Sequence, residues 1–411
     1  MKIAFFGGLF SLVLFASCQK SASTQTSSTT PPASDSATVT VNNGYGSGTY
    51  KIGDTVNIWA NAIPANTVFD SWTGYTALLQ NSGEWHNSFV MPAQNVIVTG
   101  NQKALTPYTL KYEQIKGVNI KKNVYYYFPA SPKGVVFLLH GTGGSAANLV
   151  TTFDWILMMN DLASAGYAFV VTEAEEVSLN TDLNGDGVLR WATTPLDSTT
   201  NVDYGNIKAI RDTFYARGYY NSSIAQYSVG MSDGGAFSCS LSYLYKYKSG
   251  VAYCEQGFQT VFNTSLVPFQ FCMAKYDNNS SVGPAGDATA LTNSQLLIGR
   301  GVCSNYFLHD KSPAYPQRFA RTSAISLTTS TALFNELKNS HWLDAKNYLL
   351  ANSDSLGPIL LASPATYPTY NGLNANLQLF VNDQIDQMCA AHKFFSDLDK
   401  TTIKFITTQC Q

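Results

Sequence analysis

One short stretch, GMSDGG at residues 230–235, places a single serine between glycines. It follows the strand-like run IAQYSVG and precedes AFSCSLSYLYKY, whose apolar spacing is typical of a helix. A sharp turn from strand to helix lifts a side chain above the sheet, and glycines permit the turn because they bring no side chain that would clash. The G-x-S-x-G spacing therefore predicts that Ser232 carries an exposed nucleophilic hydroxyl near a helix N-terminus, which favours negative charge.

A second glycine-rich turn, LLHGTGG at residues 138–144, follows the apolar run GVVF. Successive backbone N–H groups in such a turn can bind an oxyanion. The turn resembles the H-G-G-G-type motif of esterases, which implies donors at Thr142 and Gly143 and a further N–H at Asp233, after the nucleophile. Thr142 stands where the motif has glycine, so which N–H points inward stays open. His140 is predicted to shape this loop rather than to carry a proton.

The chain from about residue 108 to 405 resembles the α/β-hydrolase superfamily, and within it extracellular esterases of the polyhydroxyalkanoate depolymerase and feruloyl esterase kind. Buried-strand runs alternate with helical stretches from residue 105 onward, which is typical of a mostly parallel sheet flanked by helices. The resemblance implies a triad in the order serine, acid, histidine. The acid should follow the strand VPFQFCMAK, which makes Asp277 the first choice and Asp287 the alternative. A helical insertion is expected at about residues 312–365.

Two histidines lie far enough downstream to act as the base. His309 ends a strand-like run, where this superfamily places its triad histidine. His392 lies in a C-terminal segment that resembles the H-x-F-F run near the ends of such esterases, and a disulfide at Cys389 would hold that segment against the body. We favour His392 and keep His309 as the alternative. The mechanism implied is attack by Ser232, proton transfer to the histidine, orientation of its ring by Asp277, and release of the acyl group by water.

The stretch NTDLNGDGVLRW at residues 180–191 has the D-x-N-x-D-G spacing of the first half of a calcium loop. The ligands would be the side chains of Asp182, Asn184 and Asp186 and the carbonyl of Val188. Thr193 stands where a bidentate glutamate should close the site, so the same spacing also fits an Asx-rich turn without an ion. A structural calcium and a plain turn both stay open, and no cofactor is required for the chemistry predicted above.

Residues 37–101 show short strands separated by glycine and asparagine turns, which predicts a small all-β module. Its sequence resembles the divergent internalin-type B repeat of bacterial surface proteins, in the features Tyr50, Gly53, WTG at 72–74 and MPAQNV at 91–96. The tryptophans either fill the core of this module or form a platform for carbohydrate; they are Trp59, Trp72 and Trp85. We favour the core, because a module this small needs them there. Its expected role is that of a spacer or a weak adhesion module.

Residues 1–17 are predicted to be a lipoprotein signal peptide, because Lys2 precedes an apolar stretch that ends in LFASC. LFASC resembles a lipobox, which implies that Cys18 is acylated and anchors the protein to a membrane at the cell surface or in the periplasm. If the lipobox is not used, the segment predicts secretion. The Ser/Thr/Pro tract at 18–36 predicts a flexible linker. Six cysteines follow Cys18, an even number that predicts disulfides in an exported chain, with Cys410 as a staple of the tail.

Charged residues make up 13% of the chain and the net charge is −2, so nothing attracts nucleic acid by charge.

Together, the motifs predict that residues 105–411 are the catalytic domain of a surface-anchored serine esterase that acts on small or polymeric esters. Two alternatives stay open. The same triad cleaves amides, so a serine peptidase of this fold is one of them. The other is a catalytically inactive surface protein whose binding comes from the β module.

Overall fold

The computed structural model of the protein describes residues 35–64, 66–351 and 353–410. The predicted signal peptide, Cys18 and nearly all of the predicted linker lie outside the described residues. Residues Ser36–Gln411 form one compact unit. Among the described helices, none combines the length and the apolar character that crossing a bilayer requires.

Seven short strands build the N-terminal region. They are β1 (Ser36–Asn42), β2 (Gly44–Tyr45), β3 (Gly48–Lys51), β4 (Thr55–Ala60), β5 (Thr67–Gly74), β6 (His86–Val90) and β7 (Val96–Ala104). They form two sheets, ordered β3-β1-β7-β5 and β2-β4-β6. β7 extends past the predicted end of the module at residue 101, because its pairing with β5 continues to Ala104 opposite Thr67. Trp59, Trp72 and Trp85 are buried in the apolar core of this region, which confirms the core interpretation.

Eight further strands form the large sheet. They are β8 (Lys111–Lys116), β9 (Lys121–Tyr127), β10 (Gly134–Leu139), β11 (Ala168–Thr172), β12 (Ala225–Met231), β13 (Ser249–Tyr253), β14 (Phe269–Ala274) and β15 (Ser304–His309). Their order across the sheet is β15-β14-β13-β12-β10-β11-β9-β8. Strands β10 to β15 are parallel, and β9 pairs antiparallel with both of its neighbours. This mostly parallel sheet is that of the α/β-hydrolase fold, which confirms the predicted fold class.

Helices cover both faces of the large sheet. Those in the described part of the chain are α1 (Ala146–Thr151), α2 (Phe153–Ser164), α3 (Glu175–Leu179), α4 (Val202–Ala216), α5 (Asp233–Tyr245), α6 (Gln259–Phe262), α7 (Gly283–Gly299), α8 (Leu327–Asn339), α9 (Ser353–Ala362), α10 (Pro368–Asn371), α11 (Ala375–Met388) and α12 (Asp399–Thr408). Alternate side chains of β10 face opposite ways. Val136 and Leu138 join the apolar cluster of α2 and α12, and Val135 and Phe137 join that of α4 and α5. Burial on both faces explains why this strand is apolar throughout.

The helices after β15 form a cluster of their own. Helices α8, α9, α10 and α11 pack around apolar side chains that include Leu333, Leu356 and Ile385. We call residues 312–388 the insertion, since the helical region continues past the predicted end at 365 to the end of α11. The insertion carries the chain from the last strand of the sheet back to the C-terminal segment.

A buried polar cluster joins the N-terminal strands to the rest of the unit. Asp397 accepts a hydrogen bond from Trp85 Nε1 at 3.1 Å, and its other oxygen lies 3.1 Å from His86 Nδ1. The Arg321 guanidinium lies over the Trp85 ring, 3.7 Å from its centroid. Burial opposes ionisation of Asp397, but the His86 hydrogen bond and the surrounding positive charges outweigh it and hold the pKa well below its usual range. The N-terminal strands are therefore docked through an ionised carboxylate rather than tethered loosely.

A second carboxyl group at the same interface is neutral. Glu84 Oε1 accepts the Thr401 N–H at 2.6 Å, while Oε2 has no hydrogen-bond partner among the described residues. Burial raises the pKa of Glu84 from its ordinary value of 4.5 to about 8. The group therefore stays protonated at neutral pH in the folded protein.

Glu84→Gln should stabilise the protein at alkaline pH. Between pH 4.5 and about 8 the folded state holds a proton that the unfolded state has released, so the free energy of unfolding falls as pH rises. Glutamine keeps the volume and the acceptor for Thr401 but does not titrate. We expect the melting temperature of the variant at pH 8 to exceed that of the wild type by at least about 2 °C, and the difference to shrink towards pH 4.5. A constant difference in thermal melts across this range would contradict the assignment.

Candidate active site

Ser232 lies at the turn between β12 and α5, with φ 54° and ψ −128°, a backbone conformation that residues other than glycine rarely adopt. Its N–H donates to the Tyr253 carbonyl at 2.8 Å, which fixes the turn against β13. A Cβ at Gly230 would lie 1.9 Å from the Gly234 carbonyl oxygen, and one at Gly234 would lie 2.4 Å from that of Leu139. The turn therefore requires both glycines, and it holds the serine at the carboxyl end of a central strand.

Three predicted residues meet at this turn. His392 Nε2 lies 2.8 Å from Ser232 Oγ, and His392 Nδ1 lies 2.7 Å from Asp277 Oδ2. The other oxygen of Asp277 accepts the Asn279 N–H at 2.9 Å, so the carboxylate is held in place behind β14. Because a carboxylate accepts the Nδ1 proton, Nε2 is left as the acceptor for the serine hydroxyl. The structure thus brings together Ser232, His392 and Asp277, and their catalytic roles stay predictions.

The two alternative residues lie elsewhere. His309 ends β15, where its Nε2 lies 3.2 Å from the Gln387 carbonyl oxygen and its ring stacks on Phe395 at 4.5 Å. Burial lowers the pKa of His309, so it stays neutral. Asp287 lies on α7, and burial raises its pKa to about 6. The hydrogen bonds of His392 go to the first-choice acid and to the serine, which leaves His309 as a support for the C-terminal segment.

A buried carboxylate that the sequence did not single out supports the segment that carries His392. Asp154 of α2 accepts hydrogen bonds from Ser396 Oγ at 2.6 Å, Gln387 Nε2 at 2.7 Å and Gln384 Nε2 at 3.1 Å. These donors come from both sides of His392 in the chain. Asp154 therefore fixes the segment that carries His392 both before and after that residue.

Packing also holds this segment. Phe394 stacks on Trp155 with ring centroids 3.7 Å apart and an interplanar angle of 9°. The expected disulfide at Cys389 is wrong, because its thiol is free and buried in the apolar cluster of the insertion. The disulfide of the described chain joins Cys303 to Cys410, which confirms Cys410 as a staple of the tail. Aromatic stacking, rather than a disulfide at Cys389, thus holds this segment against the body of the protein.

The glycine-rich turn after β10 lies beside Ser232, since a Cβ at Gly141 would come 3.2 Å from the Cβ of that serine. The prediction that Gly143 donates to an oxyanion is wrong, because its N–H donates to the Leu189 carbonyl at 2.8 Å. The N–H of Thr142 has no acceptor among the described residues. Asp233 is the first residue of α5, where N–H groups lack partners within the helix. Thr142 and Asp233 stay the predicted donors.

His140 shapes this turn, in the way its position in the sequence indicated. Its Nδ1 lies 2.7 Å from the Gly141 carbonyl oxygen, and its Nε2 accepts the Ala174 N–H at 3.1 Å. Burial lowers the pKa of His140 to about 4, so the ring is neutral. The Trp191 indole donates to the His140 carbonyl at 2.9 Å, and the Trp191 N–H donates to the Asp233 carboxylate at 2.7 Å. These bonds tie the turn after β10 and the start of α5 to the loop that carries Trp191.

Two carboxyl groups near the serine were missed as titrating groups. Burial raises the pKa of Asp233 to about 6 and that of Glu255 to about 7. Glu255 Oε1 accepts the Gly257 N–H at 2.9 Å, and a Cβ at Gly235 would lie only 2.8 Å from the Glu255 Cβ. The position of Glu255 just behind a parallel strand is the signal that could have found it, since ligands bind at that end of such sheets.

In the candidate calcium loop, the side-chain oxygens that would bind the ion accept hydrogen bonds from backbone N–H groups of the same loop. The carboxylate of Asp182 accepts two backbone N–H groups of the loop at 2.7 Å each, and Asn184 Oδ1 accepts another at 2.9 Å. Asp186 accepts the Val188 N–H at 3.1 Å and forms an ion pair with Arg190. The arginine competes with a cation for that carboxylate, and the bonds are those of an Asx-rich turn. Calcium binding by these four residues stays a prediction.

No family model and no curated protein matches the chain. Among solved structures, it is similar to a dienelactone hydrolase from Anabaena variabilis (14% identity, TM-score 0.36, covering 49% of this chain and 86% of that one). It is also similar to a ferulic acid esterase (12%, 0.36, 49% and 89%) and to an acylaminoacyl peptidase from Pyrococcus horikoshii (12%, 0.37, 66% and 50%). Likeness at this level does not bear on activity, which follows only from the site.

Fluorophosphonate labelling should separate the two candidate bases. We expect the wild type to be labelled at Ser232, and His392→Ala to slow labelling at least about 10³-fold, because the serine then lacks its proton acceptor. His309→Ala should stay within about tenfold of the wild type, since its imidazole bonds to a backbone carbonyl. Intact-protein mass spectrometry over time measures both rates. The reverse ranking would assign the base to His309.

Proposed function

We propose that the protein is a serine hydrolase that cleaves carboxylic esters. The observation that carries this proposal is the hydrogen-bonded chain from Asp277 through His392 to Ser232, with the serine held at positive φ. In this arrangement His392 Nε2 takes the hydroxyl proton as Oγ attacks the acyl carbon, and it returns the proton to the leaving alcohol. Water, activated by the same nitrogen, then releases the acid from the serine.

The groups around the triad supply charge stabilisation. The buried Asp277 carboxylate stabilises the imidazolium that forms on His392 and keeps its ring oriented. The N–H groups of Thr142 and Asp233 would bind the oxygen of the tetrahedral intermediate, each contributing about 3 kcal/mol. Neutral His140 positions the turn without competing for the proton. Each step of ester cleavage thus has a group of this chain assigned to it.

Ser232→Ala should reduce turnover of p-nitrophenyl acyl esters to less than about 1% of the wild type while leaving the thermal melt unchanged. Ser223→Ala is the matched control, because Ser223 lies on the surface loop before β12, and it should keep full activity. Acyl p-nitroanilides with the same acyl groups test the leaving group. A higher kcat/KM for the anilides than for the esters would make the protein a peptidase rather than an esterase.

We also propose that the protein is anchored outside the cytoplasm by acylation of Cys18, on the support of the LFASC stretch. Cys18→Ser should then move the protein from the membrane fraction to the soluble fraction or leave the signal peptide uncleaved. Ser21→Ala, three residues further on, should stay in the membrane fraction. Immunoblots of the two fractions measure this, and unchanged membrane association of Cys18→Ser would overturn the lipid anchor.

A further inference from the structure

Two adjoining cavities lie between the sheet of β2, β4 and β6 and the insertion, and the smaller one is also lined by the end of β15 and by residues 397–401. Their volumes are about 560 Å³ and about 780 Å³, within the range of ligand pockets. They share the side chains of Thr55, Asn57 and Tyr348, so together they form one cleft. Ser232 lines neither cavity, which makes the cleft distinct from the candidate active site.

The ionisable side chains that line the smaller cavity are already engaged. The pairs are His86 with Asp397, Asp310 with Lys275, Lys311 over the ring of Tyr276, His309 with the Gln387 carbonyl, and Asp344 with the N–H groups of residues 346 and 348. Glu84 is protonated at neutral pH, because its pKa is raised to about 8. Lys311 and Asp344 have no partner of opposite charge among the described residues, and the larger cavity adds Asp54 and Lys346. The remaining charges are thus two of each sign, which favours neither an anion nor a cation as the ligand.

Each cavity is also lined by a side chain that carries a buried polar atom without a partner among the described residues. Glu84 lines the smaller cavity and its Oε2 is such an atom, and Trp59 lines the larger cavity and its Nε1 is another; each residue is 3% exposed. Buried polar groups as a rule have hydrogen-bond partners. The protonated carboxyl can donate or accept and the indole can only donate, so a ligand hydroxyl that reached either buried atom would find a partner there.

Side chains that line the cleft combine neutral hydrogen-bonding groups with aromatic faces. At the junction of the two cavities, Thr55 and Tyr348 carry hydroxyls and Asn57 carries an amide, whose Oδ1 also lies 3.1 Å from His86 Nε2. Tyr45 lines the larger cavity, is 37% exposed, and has its ring 5.3 Å from that of Tyr315. A sugar ring presents C–H groups on its faces and hydroxyls at its edge, which matches an aromatic face beside amides and hydroxyls.

We propose that the cleft between the N-terminal strands and the insertion binds a neutral oligosaccharide. The length of the cleft, two cavities joined at Thr55, suits a chain of sugar rings rather than a single one. The three tryptophans first considered as a platform take no stacking role here, since they are buried in the core. The proposal does not depend on the hydrolase activity.

Isothermal titration tests the proposal on the full chain carrying Ser232→Ala, so that no ester chemistry contributes. The probes are the hexasaccharides of glucose, xylose and mannose, with oligogalacturonate as the charged probe and a neutral hexapeptide as the alternative ligand. We expect at least one neutral hexasaccharide to bind. The proposal is overturned if none binds at concentrations up to about 10 mM, or if only the charged probe or the peptide binds.

Variants locate the binding in the cleft. Tyr348→Ala removes a ring shared by both cavities, and Thr55→Arg places a long side chain at their junction from an exposed position that tolerates it. Each should weaken binding at least about tenfold. Thr73→Arg is the matched control, exposed on β5 in the other sheet of the same region, and should bind as the parent does. Equal binding by Thr55→Arg and Thr73→Arg would overturn the proposal.

Ester turnover gives the independent readout. With Ser232 restored, Thr55→Arg should hydrolyse p-nitrophenyl esters at the wild-type rate, because the cleft does not include the serine. A loss of turnover in that variant would contradict a separate saccharide site. If the wild type proves inactive on esters, the titrations still decide the saccharide proposal.

Discussion

The hydrogen bond between His392 Nε2 and Ser232 Oγ joins two residues that are 160 positions apart in the chain. A distance of 2.8 Å leaves little tolerance, because a base displaced by an ångström no longer reaches its proton. The serine is fixed by the turn at the end of β12, so this distance depends on how precisely the C-terminal segment places His392. Much of the C-terminal third of the protein is organised to meet that requirement.

Three different kinds of contact meet it. The Asp154 carboxylate gathers donors from both sides of His392, Phe394 stacks on Trp155, and the Tyr276 N–H donates to the Ala390 carbonyl at 3.0 Å. The last bond ties the loop that carries Asp277 to the loop that carries His392. A buried carboxylate that accepts four hydrogen bonds is costly to disrupt, so the support is stiff.

The N-terminal strands share in the same support. Asp397 lies five residues after His392 and bonds to Trp85 and His86 of the strand region. Arg321 lies against the Trp85 ring and 3.6 Å from Asp154, so it links the strands, the insertion and α2. Residues 37–101, which the sequence predicts to be a separate module, thus help to hold the C-terminal segment in place.

What the sequence could predict was local. The strand, turn and helix around Ser232 follow from spacing, as do β10, β11, β13 and β14, since each is an apolar run between turn residues. The placement of Asp277 and His392 followed from a family resemblance. Gly143 and Cys389 were misjudged because their partners depend on how distant loops fold back, as the Leu189 carbonyl does onto Gly143. Asp154 carries no local pattern, since a buried carboxylate within a helix is recognised only by what surrounds it, and the local sign of Glu255 is its position just after β13.

The disulfide between Cys303 and Cys410 spans 107 residues, and that span contains the whole insertion and His392. A single proteolytic cut anywhere between the two cysteines would leave two fragments that remain covalently joined. The fragment with Ser232 and Asp277 could then not diffuse away from the one with His392. An exposed loop of the insertion, such as the one that contains Lys346, can therefore be cut without the molecule losing Ser232, Asp277 or His392.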